Sequence, residues 1–197
     1  MRTVLNVGGN NRAIPLPSIY QEWAQLLLDI DPKGQPDVLC DARTMTDLPP
    51  STYDSIYCSH NLEHYHRHEV PKVLAGFRHV LKADGFVYLR VPDISAVIQA
   101  AVQNKLDIDD VLYRSPRGPI TVHDVIYGYG VEIERSGNDF FAHKTGLTPK
   151  SLVKVLQAAG FVSVFVGASQ LEVVAYAFTG KASDFAVELL KLPPGAV

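Results

Sequence analysis

Short apolar runs, each cut off by glycine, proline or acidic residues, fill the first third of the chain. Residues 3–7 form one that stops at Gly8-Gly9, which predicts a strand ending in a turn. Residues 18–21 (Ser-Ile-Tyr-Gln) have capping-box spacing and predict the start of a short helix. Residues 24–30 are a second run, closed by Pro32 and Gly34. Residues 37–42 and 53–58 predict a third and a fourth strand, the last entered through Pro49-Pro50. From His66 the period lengthens. Val70, Val73, Leu74, Phe77, Val80 and Leu81 recur at three and four, the mark of a helix with one buried face. Ala83-Asp84-Gly85 then turns the chain into a fifth strand over 86–91, ended by Pro92. Asp93 is placed to cap a helix carrying Ile94, Val97, Ile98, Ala101 and Val102 on one side.

Residues 113–146 break the pattern, with glycine, proline, histidine, tyrosine and charge at weak periodicity. A long irregular stretch inside a compact domain is usually functional, and residues 113–147 are read as a substrate or lid insertion. Thr148-Pro149 opens another helix, with Leu152, Val155, Leu156 and Ala159 on its apolar face and Gly160 at its end. Residues 161–166 and 171–178 predict two strands joined by a short turn, and 183–190 a last helix. The early strand–helix alternation argues for a mostly parallel sheet covered by helices, with right-handed crossovers. Ligands of such sheets bind beyond the carboxyl ends of the strands, so the residues just after each strand carry the information.

Those ends read as an adenosine site. The first strand ends in Gly8-Gly9-Asn10, where glycine lets the backbone approach a ligand. The second ends in Asp29 and Ile30. Asp29 lies 21 positions after Gly8, where a carboxylate accepts hydrogen bonds from a ribose diol. The third ends in Asp41-Ala42, an acid and a backbone N–H suited to the polar rim of an adenine. The fourth ends in Ser59-His60-Asn61. The glycines that a pyrophosphate-binding loop needs are missing after Gly9, and there is no Walker A loop. An adenosine ligand without a pyrophosphate is left, and S-adenosylmethionine is the obvious one.

Composition narrows the class further. A chain of 197 residues favours one domain, residues 1–197, and 47% apolar content supplies its core. Eighteen basic against 21 acidic residues give a net charge of -3, with no clustered basic footprint for nucleic acid or an anionic membrane surface. No apolar run reaches the roughly 18–20 residues of a membrane span. The first residues lack a signal peptide's cleavage site, and Cys40 and Cys58 make no disulfide framework, so the expected compartment is the cytoplasm.

Three blocks carry a family resemblance: Ser59-His60-Asn61-Leu62-Glu63-His64; His79-Val80-Leu81-Lys82-Ala83-Asp84-Gly85-Phe86; and Val91-Pro92-Asp93. With Leu5 to Asn10, and with His143-Lys144 ahead of Leu147-Thr148-Pro149, they make the chain similar to class I S-adenosylmethionine-dependent methyltransferases, in particular the small type 11 group. The resemblance runs from Val4 to Phe178. It implies an α/β, Rossmann-like three-layer sandwich around a mostly parallel seven-stranded sheet whose last strand is antiparallel. It also implies that Gly8, Gly9 and Asn10 lie against the cofactor's methionine part, that Asp29 holds the ribose, and that Asp41 and Ala42 border the adenine. Ser59 and His60 are then expected near the sulfonium. The usual alternating glycine run is reduced to Gly8-Gly9-Asn10 in this chain.

His60, His64, His66 and His68 crowd one segment. Glu63 does not complete an H-E-x-x-H motif and no cysteine pair is present, so the segment is read as a polar loop over the cleft, with no metal. His64 and His143 are the candidate general bases, because histidine exchanges protons near neutral pH. Tyr113, Tyr127, Tyr129, Phe140 and Phe141 are candidate walls of an acceptor pocket, and Arg90 and Arg117 candidate partners of an acidic acceptor. The expected activity is methyl transfer to an oxygen or nitrogen of a small-molecule or sugar-like acceptor. A non-catalytic module that keeps this fold, and a different nucleotide enzyme such as a reductase, are the other two readings.

Overall fold

The computed structural model describes residues 1–116 and 118–193. In chain order its strands and helices are β1 (Thr3–Val7), β2 (Ala24–Asp29), β3 (Val38–Leu39), β4 (Tyr53–Ser59), α1 (Val70–Val80), β5 (Leu81–Pro92) and α2 (Ile94–Asn104). Then come β6 (Val111–Ser115), β7 (Gly118–Thr121), α3 (Val122–Tyr127), α4 (Gly130–Ser136), α5 (Pro149–Ala158), β8 (Ser163–Ser169), β9 (Glu172–Phe178) and α6 (Asp184–Leu190). Seven strands form one sheet in the order β3-β2-β1-β4-β5-β9-β8. The first five are parallel, and β9 runs antiparallel to both β5 and β8. This is the expected α/β sandwich with an antiparallel last strand.

Strand alternation sends successive residues to opposite faces. Leu5, Val7, Ile56, Cys58, Val87 and Leu89 meet α1 and α5 on one face, around the fully buried Phe77, Leu152 and Leu156. Val4, Tyr57, Phe86 and Phe178 point the other way, under α6 and the segment joining β1 to β2. That second face is where the sequence reading needs correcting. The helix predicted from residue 18 is a single 3-10 turn, Ser18–Tyr20, with Pro17 at its N-cap and no side-chain cap. Aromatic packing does the work of a helix here. Tyr20 is buried, edge-on to Trp23 at 5.3 Å and to Tyr57 at 5.9 Å. Its hydroxyl bonds Ser55 Oγ at 2.8 Å, and Ser55 in turn donates to the Phe86 carbonyl at 3.0 Å. Tyr20→Phe is therefore expected to cost about 1 kcal/mol, roughly 3 °C in thermal midpoint, measurable by scanning calorimetry.

Three further elements differ from expectation for local reasons. The third strand shrinks to Val38–Leu39 because acids cap both of its ends. Asp37 accepts from the Leu27 N–H at 2.7 Å, and Asp41 accepts from the Arg43 N–H at 2.9 Å to start a 3-10 turn. In α2, Val97 is buried, but Ile98 and Val102 are 54% and 73% exposed. The helix packs by its Val97–Ala101 edge against α3 and the hairpin, and by Ile94 near Gly146, so the Ile98–Val102 part of its predicted apolar face meets solvent. Residues 113–147 are more regular than their composition suggests: the hairpin β6–β7, then α3 and α4, over a small core of Val97, Val122 and Val125.

The insertion is tied down by backbone hydrogen bonds. Lys144 N–H donates to the Glu63 carbonyl at 2.8 Å, and His143 N–H to that of Tyr127 at 2.9 Å. Gly128 makes the tightest approach. Its φ is +103°, and a Cβ there would lie 2.1 Å from the Phe141 carbonyl oxygen. Gly128→Ala is expected to cost about 2 kcal/mol of local stability, seen as faster amide exchange across 122–143 while the sheet stays protected. No helix among the described residues is long and apolar enough to cross a membrane.

Candidate active site

The strand order reverses between β1 and β4, and a sheet of this kind opens a crevice at such a point. Gly8 makes the opening. It turns the chain at φ +77°, its N–H donates to the Leu28 carbonyl at 2.8 Å, and a Cβ on it would strike the Asn61 side chain at 2.4 Å. The cavity above the ends of β1–β4 holds about 750 Å³, within the usual range of small-molecule pockets.

Gly8, Asn10, Asp29, Ile30, Asp41 and His60 all line this cavity, as do His64 and His143. Ser59, Gly9 and Ala42 do not. Ser59 still pairs with Arg90 in the sheet, Gly9 is pressed against the Asn6 side chain, and Ala42 is buried near α1. Asp29 accepts a hydrogen bond from the Asp31 N–H at 2.8 Å, and burial raises its pKa above the ordinary carboxylate value. Ile14 and Ile30 leave half-exposed apolar surface at the mouth, opposite Phe140 and Phe141. Asp41 is less free than expected. Arg43 grips both of its oxygens at 2.6–3.1 Å and reaches on to Glu69 at 2.5 Å. Burial alone would raise the Asp41 pKa, but Arg43 outweighs it and holds the group ionised. The rim at this point thus presents an ion-paired acid with a guanidinium over it.

A second cavity of about 530 Å³ adjoins the first and shares His60, Tyr129 and His143 with it. The end of β5, the β8–β9 turn and the insertion enclose it through Pro92, Leu171, Tyr113, Arg114 and Asp124. Of the candidate pocket aromatics, Tyr113 lines this cavity, Tyr129 both, and Phe140 and Phe141 the first. Tyr127 stacks on His123 outside the two. Arg90 is held by Glu172, whose other oxygen takes His60 Nε2 at 2.8 Å. Arg90 is therefore a structural cation rather than a free anchor, and Arg117 lies outside the described residues.

Between the cavities sits a group of residues that spacing alone could not assemble. Glu63 is 1% exposed, and neither of its carboxylate oxygens has a hydrogen-bond partner. His60 Nδ1 lies 3.4 Å from its Oε1, and His143 Nε2 lies 3.9 Å away. Burial would raise the Glu63 pKa, but the imidazoles around it hold it lower. For His60, burial pulls down, yet Glu172 and Glu63 prevail and raise it to about 9. For His143, burial wins and lowers the value, leaving a neutral ring at pH 7. Its Nδ1–H donates to the Val125 carbonyl at 2.8 Å, so the Nε2 lone pair faces Glu63. Both nitrogens of His64 face backbone carbonyls, Ala142 at 3.0 Å and His60 at 3.1 Å. That geometry fixes the ring in place. His60 itself has φ +50°, a conformation that a residue with a side chain holds only where its surroundings over-determine it.

Residues 21–89 match the methyltransferase domain family. The sequence matches no curated protein. Solved structures share the fold across nearly the whole chain. A SAM-dependent methyltransferase from Archaeoglobus fulgidus superposes with a TM-score of 0.54 at 15% identity, covering 89% of this chain and 85% of its own. The 1,6-didemethyltoxoflavin-N1-methyltransferase of Burkholderia thailandensis, solved with 1,6-didemethyltoxoflavin and S-adenosylhomocysteine, gives 0.53 at 17%, covering 89% and 69%. A SAM-dependent methyltransferase from Thermotoga maritima, described as a possible histamine N-methyltransferase, gives 0.54 at 14%, covering 91% and 82%. The fold is the one these methyltransferase structures share.

Proposed function

We propose that the protein is an S-adenosylmethionine-dependent methyltransferase acting on an oxygen or nitrogen of a small polar acceptor. The observation that carries this reading is the pair of adjoining cavities, one above β1–β4 and one under the insertion, that meet at His60, Tyr129 and His143. Methyl transfer needs two reactants in line, and this shape provides for two.

The residues of the first cavity fit the cofactor. Asp29 would hold the ribose diol with the carboxylate acceptor sites that its contacts in the following turn leave available. Ile14 and Ile30 supply apolar surface for a flat base, and Gly8 leaves room beside Asn61, whose buried Oδ1 has no partner. That oxygen suits the ammonium of an amino-acid tail. Bound there, S-adenosylmethionine supplies a methyl group made electrophilic by its sulfonium. The neighbouring structure from Burkholderia thailandensis holds S-adenosylhomocysteine in the same fold, which supports the choice of cofactor.

The rest falls to the chain's own groups. The second cavity holds the acceptor against Tyr113, Arg114 and Asp124. The insertion over 113–147 closes above it and excludes water. At the junction, His143, which lines both cavities, draws the proton from the attacking atom, and the buried Glu63 carboxylate, 3.9 Å from its Nε2, stabilises the charge it gains. Alignment at contact distance provides most of the acceleration, and proton removal the remainder. The test is methyl transfer from labelled cofactor to a panel of small hydroxyl- and amine-bearing acceptors. Label on an acceptor, lost in a His143 variant, supports the reading. Cofactor that binds yet never transfers its methyl to any of them would favour a binding module.

A further inference from the structure

We infer that the junction between the cavities is a divalent transition-metal site formed by Glu63, His64 and His143. One ligand atom from each of the three lies within 4.8 Å of the others. The inference deepens the proposed function, on which it rests for its catalytic meaning, while the site itself rests on geometry.

Two observations agree. First, Glu63 is fully buried and both its carboxylate oxygens lack hydrogen bonds; its nearest cation is the His60 imidazole, with Nδ1 3.4 Å from Oε1. A buried carboxylate without hydrogen bonds is costly, and a bound ion would satisfy it. Second, His143 is set as a metal ligand is. Its Nδ1 bonds the Val125 carbonyl, which leaves Nε2 to ligate, 3.9 Å from Glu63. His64 is anchored through Nδ1 on the Ala142 carbonyl in the same way, and its Nε2, 3.1 Å from the His60 carbonyl, would exchange that contact for the ion.

The donor set selects the ion. Two imidazoles and one carboxylate suit Zn²⁺, Mn²⁺ or Fe²⁺ better than Ca²⁺, which wants six to eight oxygens. Three protein ligands also leave coordination positions open, as catalytic metal sites do. His143 lines both cavities and His64 the first, which puts the site beside both. With the ion bound, Glu63 and His143 would act by holding it rather than by taking the proton themselves, and an acceptor hydroxyl on the ion would be more acidic than one in water. The competing reading is that His60 alone balances the Glu63 carboxylate, which requires no ion.

Calorimetry on chelator-stripped protein separates the two, with Zn²⁺ as titrant and Mn²⁺ followed in parallel by electron paramagnetic resonance. The expected result is one ion per chain, with affinity falling about a hundredfold or more in Glu63→Gln and in His143→Ala. His68→Gln should leave it unchanged, which discounts binding by exposed imidazoles. Circular dichroism checks that the variants fold, and His64→Asn replaces any that does not. No uptake at one equivalent, or uptake that survives these substitutions, overturns the site. S-adenosylhomocysteine titrated into the same stripped protein keeps the two claims apart. Cofactor binding without metal binding removes only the metal site. Metal binding without cofactor binding removes the methyltransferase reading and leaves the site.

Discussion

Asp29→Ala is expected to weaken S-adenosylhomocysteine binding about a hundredfold while leaving the fold intact. The carboxylate lies on the cavity wall at the end of β2, where it accepts from the Asp31 N–H of the following turn. Two charge-assisted hydrogen bonds to a ribose diol contribute about 1.5 kcal/mol each, together roughly two powers of ten in affinity. The turn at residue 31 loses one contact, so the thermal midpoint should move little. The pH dependence is a second signature. Burial raises the Asp29 pKa, and its hydrogen-bonding value belongs to the ionised form. Affinity is therefore full above that raised pKa and falls as pH drops through it, earlier on acidification than an exposed aspartate would cause. Asp29→Asn should flatten this dependence. Calorimetry between pH 4 and pH 8 reads both effects, and an unaltered affinity in the alanine variant would remove Asp29 from the site.

His143→Ala is expected to lower turnover about 10²–10⁴-fold, the usual cost of losing a positioned proton acceptor, with cofactor affinity changed by less than about threefold. The ring's Nδ1–H is anchored on Val125, so its Nε2 points at Glu63 across the wall that both cavities share. The loss should fall on the chemical step rather than on acceptor binding. A rise in KM with kcat unchanged would make His143 a binding residue instead. His68→Gln offers a contrast, since His68 is exposed and lines neither cavity. If His143→Ala and His68→Gln cost the same, His143 has no special place in proton transfer.

The sheet was legible because its signals are local. Alternation places β1, β2, β4, β8 and β9 to within a few residues, and the end of β5, whose start at Leu81 precedes the expected turn at 83–85; Gly8, Asp29 and His60 follow from strand ends. What the spacing missed depends on contacts between distant segments. Tyr20 looked like the start of a helix until the sheet face offered it Ser55 and a layer of rings. Ile98 and Val102 share a face with Val97, but no segment among the described residues arrives to cover them. Asp41 carries the right chemistry for an adenine edge, yet Arg43, two residues on, takes its oxygens. Glu63 is the clearest case. A lone acid inside Asn61-Leu62-Glu63-His64 gives no sign that His143, 80 positions later, will be set against it by backbone hydrogen bonds from Lys144 and Thr145 to its own carbonyl. An acid in a segment otherwise rich in histidine was the only available hint.

The most direct measurement is calorimetric titration of the purified chain with S-adenosylhomocysteine, run beside Asp29→Ala. The account predicts one molecule bound per chain and a binding isotherm that the substitution weakens about a hundredfold. No heat and no thermal shift at millimolar ligand, or binding indifferent to residue 29, would contradict it.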